Sequence, residues 1–397
     1  MKNLLFLICS LLTTQFCIAQ SKTILVFDLV NNTVDSIESI VFDTSIHEGK
    51  TDFSFGLYPG NTAQLEQTTP TQNTSPNAKY TKKIRAADKF DLTQYPIRTS
   101  IKIFNVVGDT FKTKCSGSMI SRRHVLSASH CFSDYNTSSI FVNKLYVCPV
   151  YNDGKPSTNF HCSYVSKIYQ YKNWTFNGED ITVLELEEPI GQVTGWLGIG
   201  FNDDDSFFSQ GIYHKFSYPG VNDYYTTEDS TPYNGDTLYH SYGKINTSNG
   251  YMAADGATSQ RGESGSSIIR VLNNQDYTSY GVLSFIPFSH NTIFQRAFND
   301  IRSIISNDLF IDYKSNTFEH FNVFPNPASD FVQVKKFNSY WDVTIEIYNS
   351  LGEQVFERVT SDLHSTIDVS CLIDGIYFLR IKGIDKTETV KLLKATL

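Results

Sequence analysis

The chain has 397 residues, 40% of them apolar, and carries 33 Lys and Arg against 41 Asp and Glu, a net charge of −8. That length implies two or three domains with enough apolar material for a core in each. No basic cluster is long enough to track a phosphate backbone, so nucleic acid is excluded as a partner, while 23 Tyr and 29 Phe favour strand-rich domains.

Residues 1–19 read as a signal peptide. Lys2 gives a positive start, Leu4 to Leu12 is almost wholly apolar, and Cys17-Ile18-Ala19 offers small residues where a signal peptidase reads. Cys17 also raises a lipoprotein signal, but Gln15 and Phe16 are not the small residues that signal expects. The apolar run is too short to span a bilayer, and no other stretch is long enough, so an exported product without a membrane span is expected. Export means an oxidising compartment, where Cys115 is expected to pair with Cys131 and Cys148 with Cys162, leaving Cys371 over. The alternative is four free buried cysteines. No Cys-x-x-Cys spacing is present, so no zinc or other metal site is expected.

Residues 20–85 hold two short strand-like runs, Thr23 to Val30 and Ser36 to Phe42. A polar stretch from Thr62 to Lys79, rich in Thr, Gln, Asn and Pro, follows as a flexible linker and leads directly into Lys82-Lys83 and Arg85. This is either a propeptide with a processing site or an ordinary N-terminal extension. Residues 86–308 form the next unit. Short apolar runs separated by Asn, Asp, Gly and Ser predict strands over Ile101 to Val106, Gly117 to Ile120, His124 to Ala128, Phe141 to Val147, Ile181 to Leu186 and Tyr280 to Phe285. No long helical periodicity interrupts them, so the unit is all-β, a barrel or sandwich. Its last segment, Ala297 to Ile305, is helical, with Phe298, Ile301, Ile304 and Ile305 on one face. Residues 309–320 are a polar linker. Residues 321–397 predict a small β-sandwich with strands over Phe331 to Val334, Val343 to Tyr348, Gln354 to Val359, Thr366 to Val369, Gly375 to Ile381 and Glu388 to Leu393, and a turn at Asn349-Ser350-Leu351-Gly352.

Three segments of the central unit carry chemistry. Gly262-Glu263-Ser264-Gly265 flanks a serine with residues that let the backbone bend, so that the N–H groups of Gly262 and Ser264 can converge as an oxyanion hole. A serine hydroxyl is a poor nucleophile until an imidazole takes its proton and a carboxylate holds that imidazole. His130 ends an apolar strand inside Ser-Ala-Ser-His-Cys, and Asp180 opens another, Ile-Thr-Val-Leu. Each alone has an ordinary structural reading, and a single Gly-x-Ser-Gly is weak. Asn202-Asp203-Asp204-Asp205 is read either as a calcium loop or, with no further ligand spacing, as a solvated acidic turn.

Taken together, Cys115-Ser116-Gly117-Ser118-Met119-Ile120 with Val125 to Cys131, Asp180-Ile-Thr-Val-Leu, and Gly262 to Ser266 resemble the histidine, aspartate and serine segments of the trypsin/chymotrypsin-like serine proteases, in that family's order. Gly195-Trp196-Leu197-Gly198 and Phe216-Ser217-Tyr218-Pro219-Gly220 look closest to the bacterial glutamyl-endopeptidase branch. The resemblance implies two six-stranded β-barrels with the three residues in the cleft between them. It implies His130 as general base and then acid, Asp180 as orienting carboxylate and Ser264 as acylated nucleophile of a serine endopeptidase acting on protein or peptide substrates. No metal or cofactor is required, and a monomer is expected. Ser284 matches a position near the aspartate and, with Thr258 and Ser259, is assigned to the substrate pocket. Several positions depart from the branch. Ser266 is followed by Ser267 rather than Pro. The strand Gly281 to Phe285 lacks the histidine of glutamate-selective members, and Thr258 and Ser259 supply no acid for Lys or Arg preference. Glu263 occupies the position that, in trypsin-like zymogens, receives a freed N-terminal amine. No Ile-Val-Gly-Gly terminus is present, and pairing with Arg261 or Arg270 at the surface is the other reading.

Phe324-Pro-Asn-Pro-Ala-Ser-Asp, Ile347-Tyr348-Asn-Ser-Leu-Gly, Gly375-Ile-Tyr-Phe-Leu-Arg-Ile and Lys391-Leu-Leu-Lys394 are similar to the sorting domain of the type IX secretion system. That resemblance implies a Gram-negative bacterium of the Bacteroidetes group, engagement of the type IX machinery, secretion to the medium or cell surface via the periplasm, and removal of the domain; an adhesive or carbohydrate-binding sandwich is the alternative. Two rival functions were weighed for the central unit. An α/β-hydrolase esterase requires Gly-x-Ser-x-Gly and the order Ser, Asp, His, neither of which is present. A secreted non-catalytic binding protein or adhesin on a protease fold is the other rival.

Overall fold

A computed structural model describes residues 22–39, 52–53, 56, 61–68, 80–135, 137–175, 179–202, 204–220, 233–248, 251–253, 260–272, 276–285, 289–292, 295–306, 321–336, 343–360, 364–382 and 387–395. Among the described residues the N-terminal segment contributes four strands: β1 (Thr23–Asp28), β2 (Thr33–Glu38), β3 (Asp52–Phe53) and β4 (Ile84–Arg85). Next come β5 (Ser100–Val107), β6 (Thr110–Met119), β7 (His124–Ser127), β8 (Leu145–Pro149), β9 (Ser163–Tyr171) and β10 (Thr182–Leu186).

The last six close on themselves. Hydrogen bonding runs β9-β10-β7-β6-β5-β8 and back to β9. Ile101, Ile103, Leu126, Leu145, Val147, Ile168 and Leu184 are all buried and fill one core. Closure removes both sheet edges, and alternation along each strand sends one set of side chains inward. The strand expected from Phe141 begins only at Leu145. The Phe141 N–H bonds the Phe132 carbonyl at 3.0 Å and its ring is half exposed, so residues 141–144 are a return loop.

A second β-structure follows, with α1 (Gly191–Thr194), β11 (Gly198–Phe201), α2 (Asp205–Ser209), β12 (Tyr213–Ser217), β13 (Tyr239–Gly243), β14 (Asn246–Ser248), β15 (Tyr251–Ala253), β16 (Ser267–Leu272), β17 (Asp276–Phe285) and β18 (Ser289–Thr292). Its order is β14-β15-β18-β17-β16-β12-β13-β4, with β11 added to β17 and β3 to β11. Ten strands therefore stand where six were expected. Two come from the N-terminal segment, and β11 joins β17 as a parallel pair. Among the described residues no pairing closes this sheet into a ring. The helix α3 (Gln295–Ile305) lays Phe298, Ile301 and Ile305 into the core of the first barrel, the apolar face read from the sequence.

The N-terminal segment is woven into both units. β1 extends the sheet along β9, from Ile24 opposite Tyr171 to Asp28 opposite Lys167, and buries Ile24 and Phe27 in the first core. The Ser39 hydroxyl donates to Asp300 of α3 at 2.7 Å. Ala63 and Leu65 are buried in the second core, and Tyr80 bridges to Gly243.

Among the described residues the C-terminal unit has seven strands: β19 (Phe321–Phe324), β20 (Phe331–Lys336), β21 (Val343–Asn349), β22 (Gln354–Thr360), β23 (His364–Asp368), β24 (Gly375–Lys382) and β25 (Thr387–Lys394). They form a three-stranded sheet, β19-β20-β23, and a four-stranded sheet, β22-β21-β24-β25. Alternate residues, among them Val332, Val334, Val343, Ile345, Ile347, Leu379 and Ile381, make a separate core, as the sequence pattern required.

Candidate active site

His130 lies in a single 3-10 turn, Ser129–Cys131, at the end of β7. Two anchors hold that turn. The Cys115–Cys131 disulfide ties it to β6, with Cα atoms 6.3 Å apart. On the other side, the Ser129 hydroxyl donates to the Ile181 carbonyl at 2.9 Å and lies 2.8 Å from the Thr182 hydroxyl, at the start of β10. Asp180 immediately precedes β10, so these bonds fix histidine and aspartate against each other.

The geometry is close. His130 Nδ1 lies 2.6 Å from Asp180 Oδ2, and the His130 backbone N–H donates to Oδ1 at 2.8 Å. The Ser284 hydroxyl also donates to Oδ2. Asp180 is fully buried and the His130 side chain is 24% exposed, so the ring has one edge on a shielded carboxylate and the other toward solvent. A carboxylate at Nδ1 makes that nitrogen the N–H donor and leaves Nε2 to accept a proton.

Ser264 precedes β16 and is buried at 6% exposure. The loop around it is pinned to both sheets. Its carbonyl accepts from the Ser116 N–H at 2.9 Å, and the Gly265 N–H donates to the Leu283 carbonyl at 2.8 Å. Ser116 Oγ donates to the Gly262 carbonyl at 2.8 Å and accepts from the Tyr218 N–H at 3.0 Å. Gly262 and Gly265 have φ of +92° and +82°, a region that disfavours any side chain. A Cβ at Gly262 would come within 2.5 Å of the Tyr218 carbonyl, and one at Gly265 within 2.4 Å of the Ser116 carbonyl. Glu263 N–H donates to Gln260 and Gly265 N–H to Leu283. Neither bond uses the N–H of Gly262 or Ser264. Leu283 precedes Ser284, so one strand, β17, supports both the serine loop and Asp180.

Ser284, read from the sequence both as near the aspartate and as a pocket residue, has its buried hydroxyl on Asp180. Thr258 and Ser259 lie outside the described residues. The Cys148–Cys162 bond joins β8 to the loop before β9, and Cys371 is free and exposed in the C-terminal unit. In the acidic turn, Asp204 caps α2 by accepting from the Ser206 N–H at 2.8 Å, which is a helix-start role; Asp203 lies outside the described residues.

Sequence reasoning passed over a buried group in the second sheet. His214 Nδ1 lies 3.0 Å from His240 Nε2, and His214 Nε2 lies 2.8 Å from the Glu66 carbonyl oxygen. Together with the Glu66 carboxylate these are the side chains, among the described residues, whose donor atoms cluster as a metal site would. Burial pushes the His214 pKa down to about 3 and the His240 pKa well below the usual value. The imidazoles are therefore neutral and bonded to each other, while Lys89 forms an ion pair with Glu66. An ammonium at that carboxylate opposes a dication there. Of the two readings given to Glu263, the surface pairing with Arg261 or Arg270 does not hold: the residue is fully buried. Its partners are Lys215 and Lys83.

Comparison with known proteins gives two family matches. A model described as Trypsin matches residues 88–302, and one described as Secretion system C-terminal sorting domain matches residues 322–395. Over 118 residues the chain is 29% identical to Serine protease 23 of Bos taurus, covering 25% of this chain and 29% of that protein. The chain thus spans under a third of the length of that curated relative. A solved structure of a Glu endopeptidase in complex with MPD aligns with a TM-score of 0.44 at 17% identity, over 56% of this chain and 96% of that one. Among the described residues no helix is long and apolar enough to cross a membrane.

Proposed function

This chain belongs to the trypsin family of serine endopeptidases and ends in a type IX secretion sorting domain, and from that premise we propose that it cleaves peptide bonds through an acyl-enzyme on Ser264. The observation that carries the assignment is the buried Asp180 carboxylate at 2.6 Å from His130 Nδ1. With Nδ1–H held there, His130 Nε2 takes the Ser264 hydroxyl proton as Oγ attacks the scissile carbonyl carbon. The N–H groups of Gly262 and Ser264 stabilise the resulting oxyanion. Collapse breaks the C–N bond, and the imidazolium gives its proton to the leaving amine. Water, deprotonated by the same imidazole, then releases the acyl group. Asp180 keeps its hold on Nδ1–H throughout and stabilises the imidazolium.

The sorting domain takes the protein by the type IX route to the medium or cell surface. We assign residues 1–19 to a signal peptide, 309–320 to a linker and 321–397 to the sorting unit, which engages the secretion machinery. The strand pairing of residues 22–39 and 80–85 with the protease core supports a retained extension rather than a detachable propeptide.

The test is digestion of a diverse peptide library by the secreted enzyme beside Ser264→Ala, with cut sites read by mass spectrometry. Loss of serine, the nucleophile, is expected to lower kcat by roughly 10⁶-fold. Equal cleavage by both proteins would remove Ser264 from the mechanism. No cleavage by wild type would favour a binding protein on this fold.

A further inference from the structure

Glu263 stands between the two residues whose amides form the assigned oxyanion site, and its side chain has no solvent exposure. Both of its oxygens are engaged twice. Oε1 lies 3.3 Å from Lys215 Nζ and accepts from the Ser217 hydroxyl at 2.6 Å. Oε2 lies 3.7 Å from Lys83 Nζ and accepts from the Gln260 N–H at 2.7 Å. The lysine side chains are themselves only 1% and 4% exposed. Burial by itself raises the carboxyl pKa, but the Lys215 and then the Lys83 charges outweigh it and hold Glu263 below the ordinary carboxylate range. It is therefore an anion in a dry interior, and such a group stays inward only where opposite charge meets it. Without that charge the favourable response is to turn Glu263 out to water. The backbone at Gly262 and Ser264 would turn with it.

The two cations differ in origin. Lys215 is on β12, within the second sheet. Lys83 belongs to the N-terminal segment, one residue before β4. There Ile84 pairs with His240 and Arg85 with Tyr239, and the Thr81 N–H donates to the Tyr242 carbonyl at 2.8 Å. Lys83 Nζ also lies 5.3 Å over the Tyr233 ring. The Lys82-Lys83-Ile84-Arg85 run, read in sequence either as a processing site or as part of an ordinary extension, is thus a paired strand entry whose second lysine reaches the residue next to Ser264.

Resting on the assignment of Ser264 as nucleophile, we propose that Lys215 and Lys83 are positioning residues: their ammonium groups hold Glu263 inward and keep the Gly262–Ser264 backbone formed in the uncleaved chain. Two internal amines then do what a freed terminal amine would otherwise do. The consequence is that full activity requires Lys83 to remain attached.

Peptide turnover by the secreted enzyme, normalised to sites titrated with a fluorophosphonate probe, tests this. Lys215→Met is expected to lower kcat about 100-fold with KM changed less than about threefold, and Lys83→Met to lower it about tenfold. Adding Glu263→Gln to the Lys83→Met, Lys215→Met double variant removes the stranded carboxylate and is expected to restore at least about tenfold of the loss. If Lys215→Met lowers only Tm and leaves kcat per titrated site unchanged, the proposal is overturned. Intact mass of the probe-labelled wild type decides the matter without any variant. Label on chains that retain Lys83 supports the proposal, and label confined to chains beginning beyond Arg85 overturns it alone. A wild type that takes up no probe and cleaves nothing overturns the Ser264 assignment and this inference with it.

Discussion

Asp180 accepts from the His130 backbone, the His130 ring and the Ser284 hydroxyl, with no exposure to water. A carboxylate that loses one of its three donors is held less firmly, and so is the imidazole that it orients. Ser284→Ala is therefore expected to lower kcat roughly tenfold at unchanged KM, since what is lost is the orientation of His130 in the reaction. Steady-state kinetics on a single peptide substrate reads this; a rise in KM at constant kcat would instead return Ser284 to the pocket. His130, Asp180 and Ser264 stand out because each sits in a local sequence suited to the proposed chemistry. Ser284 was placed near the aspartate by resemblance alone and Glu263 was left with two readings, because a serine in a strand and an acid in a turn acquire their partners from what faces them across the fold.

At the level of strands, β5 shows how alternation can bury both faces. Ile101 and Ile103 enter the barrel core, while Lys102 between them is also fully buried, against the rings of Phe104 at 5.5 Å and Tyr218 at 5.3 Å. Burial pulls its amine from 10.5 down to about 7, opposed by the nearby Asp236 charge. Between those two values the unfolded chain binds the proton that the folded chain lacks. Stability therefore rises with pH across that window and is lowest below pH 7. Lys102→Met is expected to raise Tm by several degrees near pH 6, with the gain fading toward about pH 10. Differential scanning fluorimetry at both pH values checks it, and a gain that does not change with pH would mean that the lysine is not desolvated in the native state. The strand itself was legible from its apolar alternation, but the second buried face was not. Lys102 reads as an outward residue until the loop carrying Tyr218 covers it.

For the molecule as a whole, the C-terminal sandwich has its own core of Val332, Val334, Ile345, Ile347, Leu379 and Ile381, and among the described residues its strands pair with one another, while Phe324 and Phe331 pack against the two protease cores. A chain ended after Ser306 loses those two contacts yet is expected to keep kcat per titrated site within about twofold, because the bonds that hold His130, Asp180 and the Ser264 loop come from the protease sheets. The same truncation is expected to remain in the periplasm, as fractionation and immunoblotting would reveal. Loss of turnover on truncation would mean that the two cores are coupled. The sequence by itself determined the all-β class and the paired cysteines, and its resemblance to known families pointed to the His130, Asp180 and Ser264 segments and to the sorting unit. The class and the pairing depend on short-range pattern, which is side-chain alternation and local spacing; the resemblances rest on short motifs. Tertiary structure alone decided that β1, β2 and β4 of the N-terminal segment are strands of the protease sheets and that Lys83 reaches Glu263 across some 180 residues. Such contacts arise when sheets close and exclude water, so a charge must be matched by whichever group the fold brings to it, and no local pattern in the chain encodes that meeting.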